Sequence, residues 1–139
     1  MTEAHRARLL VADDHVPLLD RVVTLLSQEF HVVGTARNGE ALIEADALLQ
    51  PDVVVADICM PDMSGLEAAA QMRSRGSRAA LVYMSAHRDG EILDAALHAG
   101  ALGYVAKTFL AEDLVPAVYA ALAGRRFVSH CVRADGTRA

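Results

Sequence analysis

Four short apolar runs in this sequence each end in a polar side chain that could take part in chemistry. The polar residues are Asp13 and Asp14 after the first run, Asp57 after the second, Ser85 after the third and Lys107 after the fourth. Carboxylate oxygens are the ligands that Mg2+ prefers, and a hydroxyl or an ammonium can bind the oxygens of a phosphoryl group. If the fold gathers these residues, they predict a magnesium-dependent phosphoryl site.

Asp57 is the predicted nucleophile of that site. It directly follows an apolar run and precedes residues 60–65, whose proline and glycine predict a loop. A carboxylate can attack phosphorus and form an acyl phosphate, but it repels an anionic substrate. A divalent cation removes that obstacle, and Asp13 and Asp14 can supply oxygens to it, one directly and the other through water. Ser85 and Lys107 can compensate charge on the phosphoryl oxygens.

Each of these residues also has an ordinary explanation. Asp57 could cap a helix, adjacent aspartates such as Asp13 and Asp14 are usually solvated, and a lone lysine after a strand usually lies on the surface. All of them, however, fall at the ends of separate predicted strands. That coincidence favours a shared site over independent surface roles.

The apolar runs have the length and composition of buried parallel strands. The predicted strands are 9–12, 31–36, 53–56, 79–84 and 102–106. Helical patterns alternate with them. The predicted helices are a stripe from Leu18 to Leu26, residues 40–49, residues 66–75, a helix around 92–97 and a last helix that reaches Leu122.

Several residues mark where the predicted helices begin and end. Asn38-Gly39 predicts a turn, and Asp89 is a candidate cap for the fourth helix. Gly76, Gly100 and Gly124 predict C-terminal caps, listed here in chain order. Pro116 leaves two alternatives open. Either the last helix begins near residue 111 and the proline kinks it, or regular helix begins only at about residue 113.

Five repeats of strand and helix predict an α/β fold, a doubly wound five-stranded parallel sheet with five helices on its two faces. Ligands bind beyond the carboxyl ends of such strands, which is where the polar residues fall. The domain is expected to span residues 8–124. Residues 1–7 are expected to be a frayed N-terminus, and residues 125–139 a linker or tail without an output domain.

Composition narrows the class of protein. The 139 residues carry a formal net charge of −5, which argues against direct binding to nucleic acid or to an anionic membrane. No apolar stretch approaches the roughly 18 residues that span a bilayer, and no secretion signal is visible. Two distant cysteines do not suggest a disulfide framework. A cytoplasmic protein is expected.

Several motifs together resemble the response-regulator receiver domain, the CheY-like phosphoacceptor module of two-component signalling. The motifs are Asp13-Asp14, residues 57–65, Ser85-Ala86 and residues 103–107. The resemblance implies a flavodoxin-like fold with strand order 2-1-3-4-5. It also implies that Asp57 accepts a phosphoryl group from a histidine of a sensor kinase.

The resemblance assigns roles to the other residues as well. It implies that Mg2+ is held by Asp13, Asp14, Asp57 and the backbone carbonyl of Cys59. Ser85 and Lys107 would contact the phosphoryl group, and Tyr104 would turn inward as a switch when Ser85 moves towards the phosphate. The readout face would comprise the fourth helix, the fifth strand and the last helix. Cys59 and His87 differ from the residue types common at their positions, which leaves the phosphoryl lifetime open.

The resemblance extends to the end of the domain. Residues 120–129 are similar to the end of receivers in NarL/LuxR-type regulators, which precede a helix-turn-helix domain. The chain is therefore expected to be the N-terminal part of a transcriptional regulator that contacts DNA only through an output domain. The alternative is a stand-alone receiver that acts by protein contact. Expected partners are a sensor histidine kinase and, in a homodimer, a second copy of the chain.

The same residues agree less well with other functions. The receiver hypothesis implies that the protein is not an enzyme in the usual sense. It would catalyse only its own phosphorylation and dephosphorylation. A phosphatase of the haloacid dehalogenase kind carries an acidic residue two positions after its nucleophile, where this chain has Cys59. A degenerate receiver would lack part of the acidic cluster or the lysine. A nucleotide-binding Rossmann module would carry a glycine-rich turn after its first strand, and this chain has none.

Overall fold

The computed structural model of the protein describes residues 6–86 and 90–129. The strands are β1 (Arg8–Ala12), β2 (His31–Ala36), β3 (Val53–Asp57), β4 (Ala80–Ser85), β5 (Gly103–Ala106) and β6 (Phe127–Val128). The helices are α1 (Val16–Ser27), α2 (Gly39–Leu49), α3 (Gly65–Ser74), α4 (Gly90–His98) and α5 (Leu110–Leu122). A 3-10 turn, Lys107–Phe109, joins β5 to α5.

The strands form one parallel sheet in the order β2-β1-β3-β4-β5-β6. The predicted α/β class and the order 2-1-3-4-5 are confirmed. The predicted count of five strands is wrong, because β6 adds a sixth at the edge beside β5. β6 is only two residues long and follows two arginines, so it has neither the length nor the apolar flank that marked the other strands.

Two apolar layers enclose the sheet, which explains why its central strands are apolar on both faces. One layer packs α1 and α5 against one face, with Leu19, Val22, Leu26, Leu114 and Val118 among its buried side chains. The other packs α2, α3 and α4 against the opposite face, with Leu42, Ile43, Met72, Leu93 and Ala96 among its buried side chains. Burial on both sides fixes the strands, and the strands in turn fix the residues that follow them.

The helix ends confirm the predicted glycine caps and contradict one predicted turn. Gly76, Gly100 and Gly124 have φ angles of 92°, 95° and 75°, which confirms the three predicted glycine caps. The prediction of a turn at Asn38-Gly39 is wrong. Asn38 is instead the N-cap of α2, and its side-chain oxygen accepts a hydrogen bond from the Ala41 N–H at 2.8 Å.

The last helix settles the alternatives left open by Pro116. α5 begins at Leu110, so the proline lies inside the helix, on its exposed side. Pro116 therefore removes one internal hydrogen bond where the freed carbonyl can reach solvent. The alternative in which regular helix begins only at about residue 113 is therefore wrong.

The two terminal segments, 1–7 and 125–139, contain more ordered structure next to the domain than predicted. Ala7 is buried and its carbonyl accepts a hydrogen bond from the His31 N–H at 2.9 Å, so this end of the frayed segment 1–7 is tied to β2. At the other end, β6 lies within the segment 125–139 that was expected as a linker or tail. The predicted cap Asp89, together with His87 and Cys131, lies outside the described residues.

None of the helices within residues 6–86 and 90–129 combines the length and the apolar character needed to cross a membrane.

Candidate functional site

The site consists of side chains at the carboxyl ends of neighbouring strands. In the sheet, Ala12 pairs with Ala56, Asp57 with Met84, and Ser85 with Ala106. The residues that end these strands or directly follow them therefore lie along one rim. This rim contains all five polar residues that the sequence singled out.

Three carboxylates converge at this rim. Asp13, Asp14 and Asp57 each offer a carboxylate oxygen, and these oxygens lie within 4.8 Å of one another. Asp13 is fully buried and Asp57 is 5% exposed, whereas Asp14 is exposed. Two of the three carboxylates therefore lie inside the rim and one faces solvent.

The orientation of Asp57 is fixed by the backbone around it. Its Oδ1 accepts a hydrogen bond from the Cys59 N–H at 3.0 Å, which holds the plane of the carboxylate. Gly65, the first residue of α3, passes so close that an added Cβ would lie 2.7 Å from the Asp57 carbonyl oxygen. The glycine therefore lets the start of α3 pack against the end of β3.

Lys107 is the cation of the site. Its Nζ lies 3.0 Å from Oδ2 of Asp57 and 3.2 Å from Oδ2 of Asp13. The lysine directly follows β5, and Asp13 and Asp57 lie at the ends of β1 and β3. One ammonium therefore links three strand ends.

The pKa values of these groups reflect burial and mutual contact. Burial raises the pKa of the Asp57 carboxyl above its ordinary value, and the nearby Asp13 charge adds to that effect. The Cys59 N–H and the Lys107 ammonium act in the opposite direction without cancelling it. Burial alone would lower the pKa of Lys107, but contact with Asp57 and Asp13 outweighs it, and the pKa of Lys107 is raised. The lysine is therefore held in its charged form beside carboxylates that repel each other.

The donor set fits a divalent cation of the magnesium type. Asp13 Oδ2 is buried, and apart from its ion pair with Lys107 at 3.2 Å it has no hydrogen-bond partner among the described residues. Its Oδ1 accepts a hydrogen bond from the His15 N–H at 2.9 Å, and one of its two oxygens lies within 4.8 Å of ligand oxygens of Asp14 and Asp57. Hard oxygen ligands in an open cluster that leaves room for water suit Mg2+.

Ser85 and Tyr104 lie on β4 and β5, two of the strands that end at the rim. Ser85 is buried as the last residue of β4, and it pairs with Ala106, the residue before Lys107. Tyr104 is fully buried in the layer formed with α2, α3 and α4. The expected switch residue thus already points inward in this structure.

A residue that the sequence did not single out anchors the loop after Asp57. The carboxylate of Asp62 accepts hydrogen bonds from the N–H groups of Gly39 and Glu40, at 2.8 and 3.0 Å, at the start of α2. These bonds lower the pKa of Asp62, as expected for a carboxylate at a helix N-terminus. The loop that carries Cys59 is therefore tied to a neighbouring helix, a long-range contact that no local pattern predicts.

A cavity of about 580 Å3 lies at the opposite end of the sheet, between α2 and α3. Its wall includes Asp46, Asp52, Arg75 and Arg78, and none of the rim residues lines it. The cavity is therefore separate from the acidic cluster, and the chemistry of the rim does not involve it.

The comparison with protein families agrees with the geometry of the rim. The family model described as the response regulator receiver domain matches residues 9–119 of this chain. The nitrate/nitrite response regulator protein NarL of Escherichia coli is 36% identical over 134 residues, which cover 95% of this chain and 62% of that protein. The chain thus spans less than two thirds of that relative's length.

Solved structures give the same result. The crystal structure of a two-component response regulator of the LuxR family from an Aurantimonas species superposes with a TM-score of 0.90 at 29% identity, and the match covers 96% of each chain. The signal receiver domain of NarL from Mycobacterium tuberculosis gives a TM-score of 0.81 at 35% identity, covering 87% of this chain and 99% of that one.

Proposed function

This chain belongs to the response-regulator receiver domain family, of the NarL/LuxR type, and we propose that it is a phosphoacceptor whose acceptor residue is Asp57. The family resemblance seen in the sequence is confirmed. Membership of the family gives the general role in two-component signalling. The roles of individual residues rest on the contacts at the rim.

The proposed reaction is transfer of a phosphoryl group from a phosphohistidine of a sensor kinase. A carboxylate oxygen of Asp57 attacks phosphorus, so an O–P bond forms while the N–P bond to the histidine breaks. The electron pair of the broken bond stays on the imidazole nitrogen, which can take up a proton. The hydrogen bond from the Cys59 N–H orients the carboxylate for this attack.

Charge compensation is the main task of the other residues. Mg2+, when bound by Asp13, Asp14, Asp57 and the Cys59 carbonyl, would supply positive charge that offsets repulsion between the carboxylate and the phosphoryl group. Lys107, already 3.0 Å from Asp57, is placed to transfer its contact to a phosphoryl oxygen. Ser85 would donate its hydroxyl to another phosphoryl oxygen. Phosphoryl transfer depends mainly on such positioning and charge stabilisation.

The proposed switch works through the same contacts. Ser85 and Lys107 follow or end β4 and β5, so binding of the phosphoryl oxygens would favour one arrangement of the loops after these strands. Tyr104 is fully buried here, which is the position that this proposal assigns to the phosphorylated form. The readout face would be formed by α4, β5 and α5.

The proposed setting is a two-component regulator with a sensor histidine kinase as phosphoryl donor. We propose that the chain is the N-terminal part of a transcriptional regulator, because residues 120–129 resemble the end of receivers that precede a helix-turn-helix domain and the chain is 36% identical to NarL. DNA would then be contacted only through an output domain, and a homodimer would be the expected active assembly. A stand-alone receiver that signals by protein contact is the alternative. In neither case is the domain an enzyme that turns over a separate substrate.

The observation that carries the proposal is the contact of one half-buried lysine with two buried carboxylates beside a third. A small phosphodonor such as acetyl phosphate tests it, because it needs no kinase. With Mg2+, we expect a single phosphoryl group per chain by intact-mass measurement, and none when a chelator is present. Asp57→Asn should abolish the label, whereas the matched control Asp94→Asn, at an exposed position on α4, should keep it. Equal labelling of both variants would refute the assignment.

A further inference from the structure

The segment that follows α5 turns back and joins the sheet. Gly124 adopts a φ of 75°, and the Arg125 N–H donates to the Ala120 carbonyl at 2.8 Å, which closes the end of the helix. The next residues form β6, which pairs in parallel with β5. Because β5 leads directly into Lys107, the segment 125–129 lies against the strand that positions the site's cation.

Ser129 makes the last contacts of this segment. Its backbone N–H donates to the Tyr104 carbonyl at 2.9 Å, as a continuing parallel strand would. The Ala106 N–H would then bond to the Ser129 carbonyl, but it donates instead to the Ser129 hydroxyl oxygen at 3.0 Å. The hydroxyl thus takes the place of the next backbone acceptor and ends the ladder.

The same hydroxyl reaches the start of α5. It donates to Oδ2 of Asp113 at 2.7 Å, and the side chain of Ser129 is fully buried. Ala106 lies immediately before the 3-10 turn that contains Lys107, and Asp113 lies in the first turn of the helix after it. One buried hydroxyl therefore connects the two ends of the turn that carries the lysine.

We propose that Ser129 is a positioning residue for phosphoryl transfer, which holds the Lys107 turn by connecting Ala106 to Asp113. The proposal rests on the function proposed above. Without the hydroxyl, the turn keeps its lysine but loses the connection that limits its positions. The ammonium then spends less time within contact distance of Asp57, and a reaction that depends on positioning slows.

The coupling must also act in the other direction. If the docked segment favours the Lys107 arrangement that binds a phosphoryl group, a bound phosphoryl group favours the docked segment by the same factor. The residues that leave the domain at its carboxyl end would thereby sense the state of Asp57. This route to the end of the domain runs through β5 and β6.

The structure offers a matched control for a test. The hydroxyl of Ser77 also donates to an aspartate, Asp46 Oδ1 at 3.1 Å, and accepts from a backbone N–H, that of Ala79 at 3.3 Å. Ser77 lines the cavity at the opposite end of the sheet. Ser77→Ala and Ser129→Ala therefore remove the same kinds of bond, one far from Lys107 and one next to it.

The test measures phosphorylation rates with acetyl phosphate at saturating Mg2+. We expect Ser129→Ala to be labelled about 10-fold more slowly than the wild type, the value of one charge-assisted hydrogen bond. Ser129→Thr, which keeps the hydroxyl, should restore most of the rate, and Ser77→Ala should match the wild type. Beryllofluoride, a phosphoryl mimic, should increase the hydrogen-exchange protection of the Ser129 amide in the wild type.

The outcomes separate this inference from the proposed function. If the wild type itself takes no label at Asp57, the proposed function fails and the inference fails with it. If the wild type is labelled but Ser129→Ala keeps its rate, or Ser77→Ala slows equally, only the inference fails. Should Ser129→Ala not fold, Asp113→Ala replaces it, since it removes the acceptor of the hydroxyl's second bond. A wild-type rate in a folded Asp113→Ala protein would then overturn the inference.

Discussion

The Nζ of Lys107 lies 3.0 Å from Oδ2 of Asp57, so the proposed nucleophile is paired with a cation before any phosphoryl group arrives. The pair forms because β3 and β5 flank β4 in the sheet and end at the same rim. The lysine offsets part of the charge gathered there, but the pKa of Asp57 remains above its ordinary value. The site therefore carries an electrostatic cost in the folded protein that a divalent cation or a substitution can relieve.

Asp57→Asn should stabilise the fold at neutral pH when divalent cations are removed. The folded pKa of Asp57 is raised by burial and by Asp13, so the stability it contributes is present below the unfolded value of about 3.9 and is lost as the pH rises through the folded pKa. Asparagine stays neutral throughout. Urea unfolding should show similar midpoints in acid and a higher midpoint for the variant at neutral pH.

The exposed control Asp94→Asn shows what the loss of one negative charge outside the rim does to the same midpoints. A lower midpoint for Asp57→Asn than for the wild type at neutral pH would contradict the electrostatic account of the rim.

Asp62→Asn should have the opposite effect on stability. The N–H groups of Gly39 and Glu40 lower the pKa of Asp62, so its contribution is present above about 3.9 and is lost as the pH falls through the folded pKa. The variant keeps an acceptor but loses the charge at the start of α2. Its urea midpoint should lie below that of the wild type at neutral pH, and the difference should disappear in acid. A constant difference across this range would point to a packing effect instead.

Mg2+ should stabilise the wild type against thermal unfolding. A cation that binds only the folded state at 100 times its dissociation constant adds about 2.7 kcal/mol. Asp13→Asn should lose most of this gain because Asp13 is fully buried, whereas Asp14→Asn should retain more, because water can replace the ligand oxygen at the exposed Asp14. Differential scanning fluorimetry with and without chelator measures these shifts. An unchanged shift in Asp13→Asn would remove this residue from the ligand set.

Lys107→Ala should slow labelling by acetyl phosphate about 10²-fold, the usual cost of losing one group that stabilises developing charge. Lys107→Arg keeps the charge but replaces a compact ammonium by a planar fork, so it should recover only part of the rate. Time courses followed by intact mass give both values. If Lys107→Ala and the wild type were labelled at equal rates, Lys107 would have no role in the transfer. It would only offset the negative charge of the carboxylates before phosphorylation.

Much of the fold follows from local signals. The apolar runs are long enough to predict their strands, and Gly76, Gly100 and Gly124 end helices where their freedom to adopt a positive φ is required. The rim followed from the strands, because Asp13, Asp57, Ser85 and Lys107 each end a run or directly follow one. Parallel strands then bring these residues together without any further information.

The contacts that sequence reasoning missed are long-range and depend on one or two residues. β6 has two residues and gains its place from pairing with β5, not from its own composition. The sequence around Asp62 predicts only a loop, and its contact with the start of α2 depends on the folded structure. The sequence around Ser129 predicts only a tail, and the hydrogen bonds of its hydroxyl with Ala106 and Asp113 depend on the folded structure. Such contacts exist only after the sheet and helices have assembled.

The central claim, that Asp57 is the phosphoacceptor, is tested most directly by locating the modified residue. The wild type is incubated with acetyl phosphate and Mg2+, the acyl phosphate is reduced with borohydride, and the protein is digested and sequenced by mass spectrometry. Reduction converts a phosphorylated aspartate to homoserine. We predict homoserine at position 57 in samples treated with both reagents, and none when Mg2+ is chelated. Homoserine at another aspartate, with position 57 unmodified, would contradict the account.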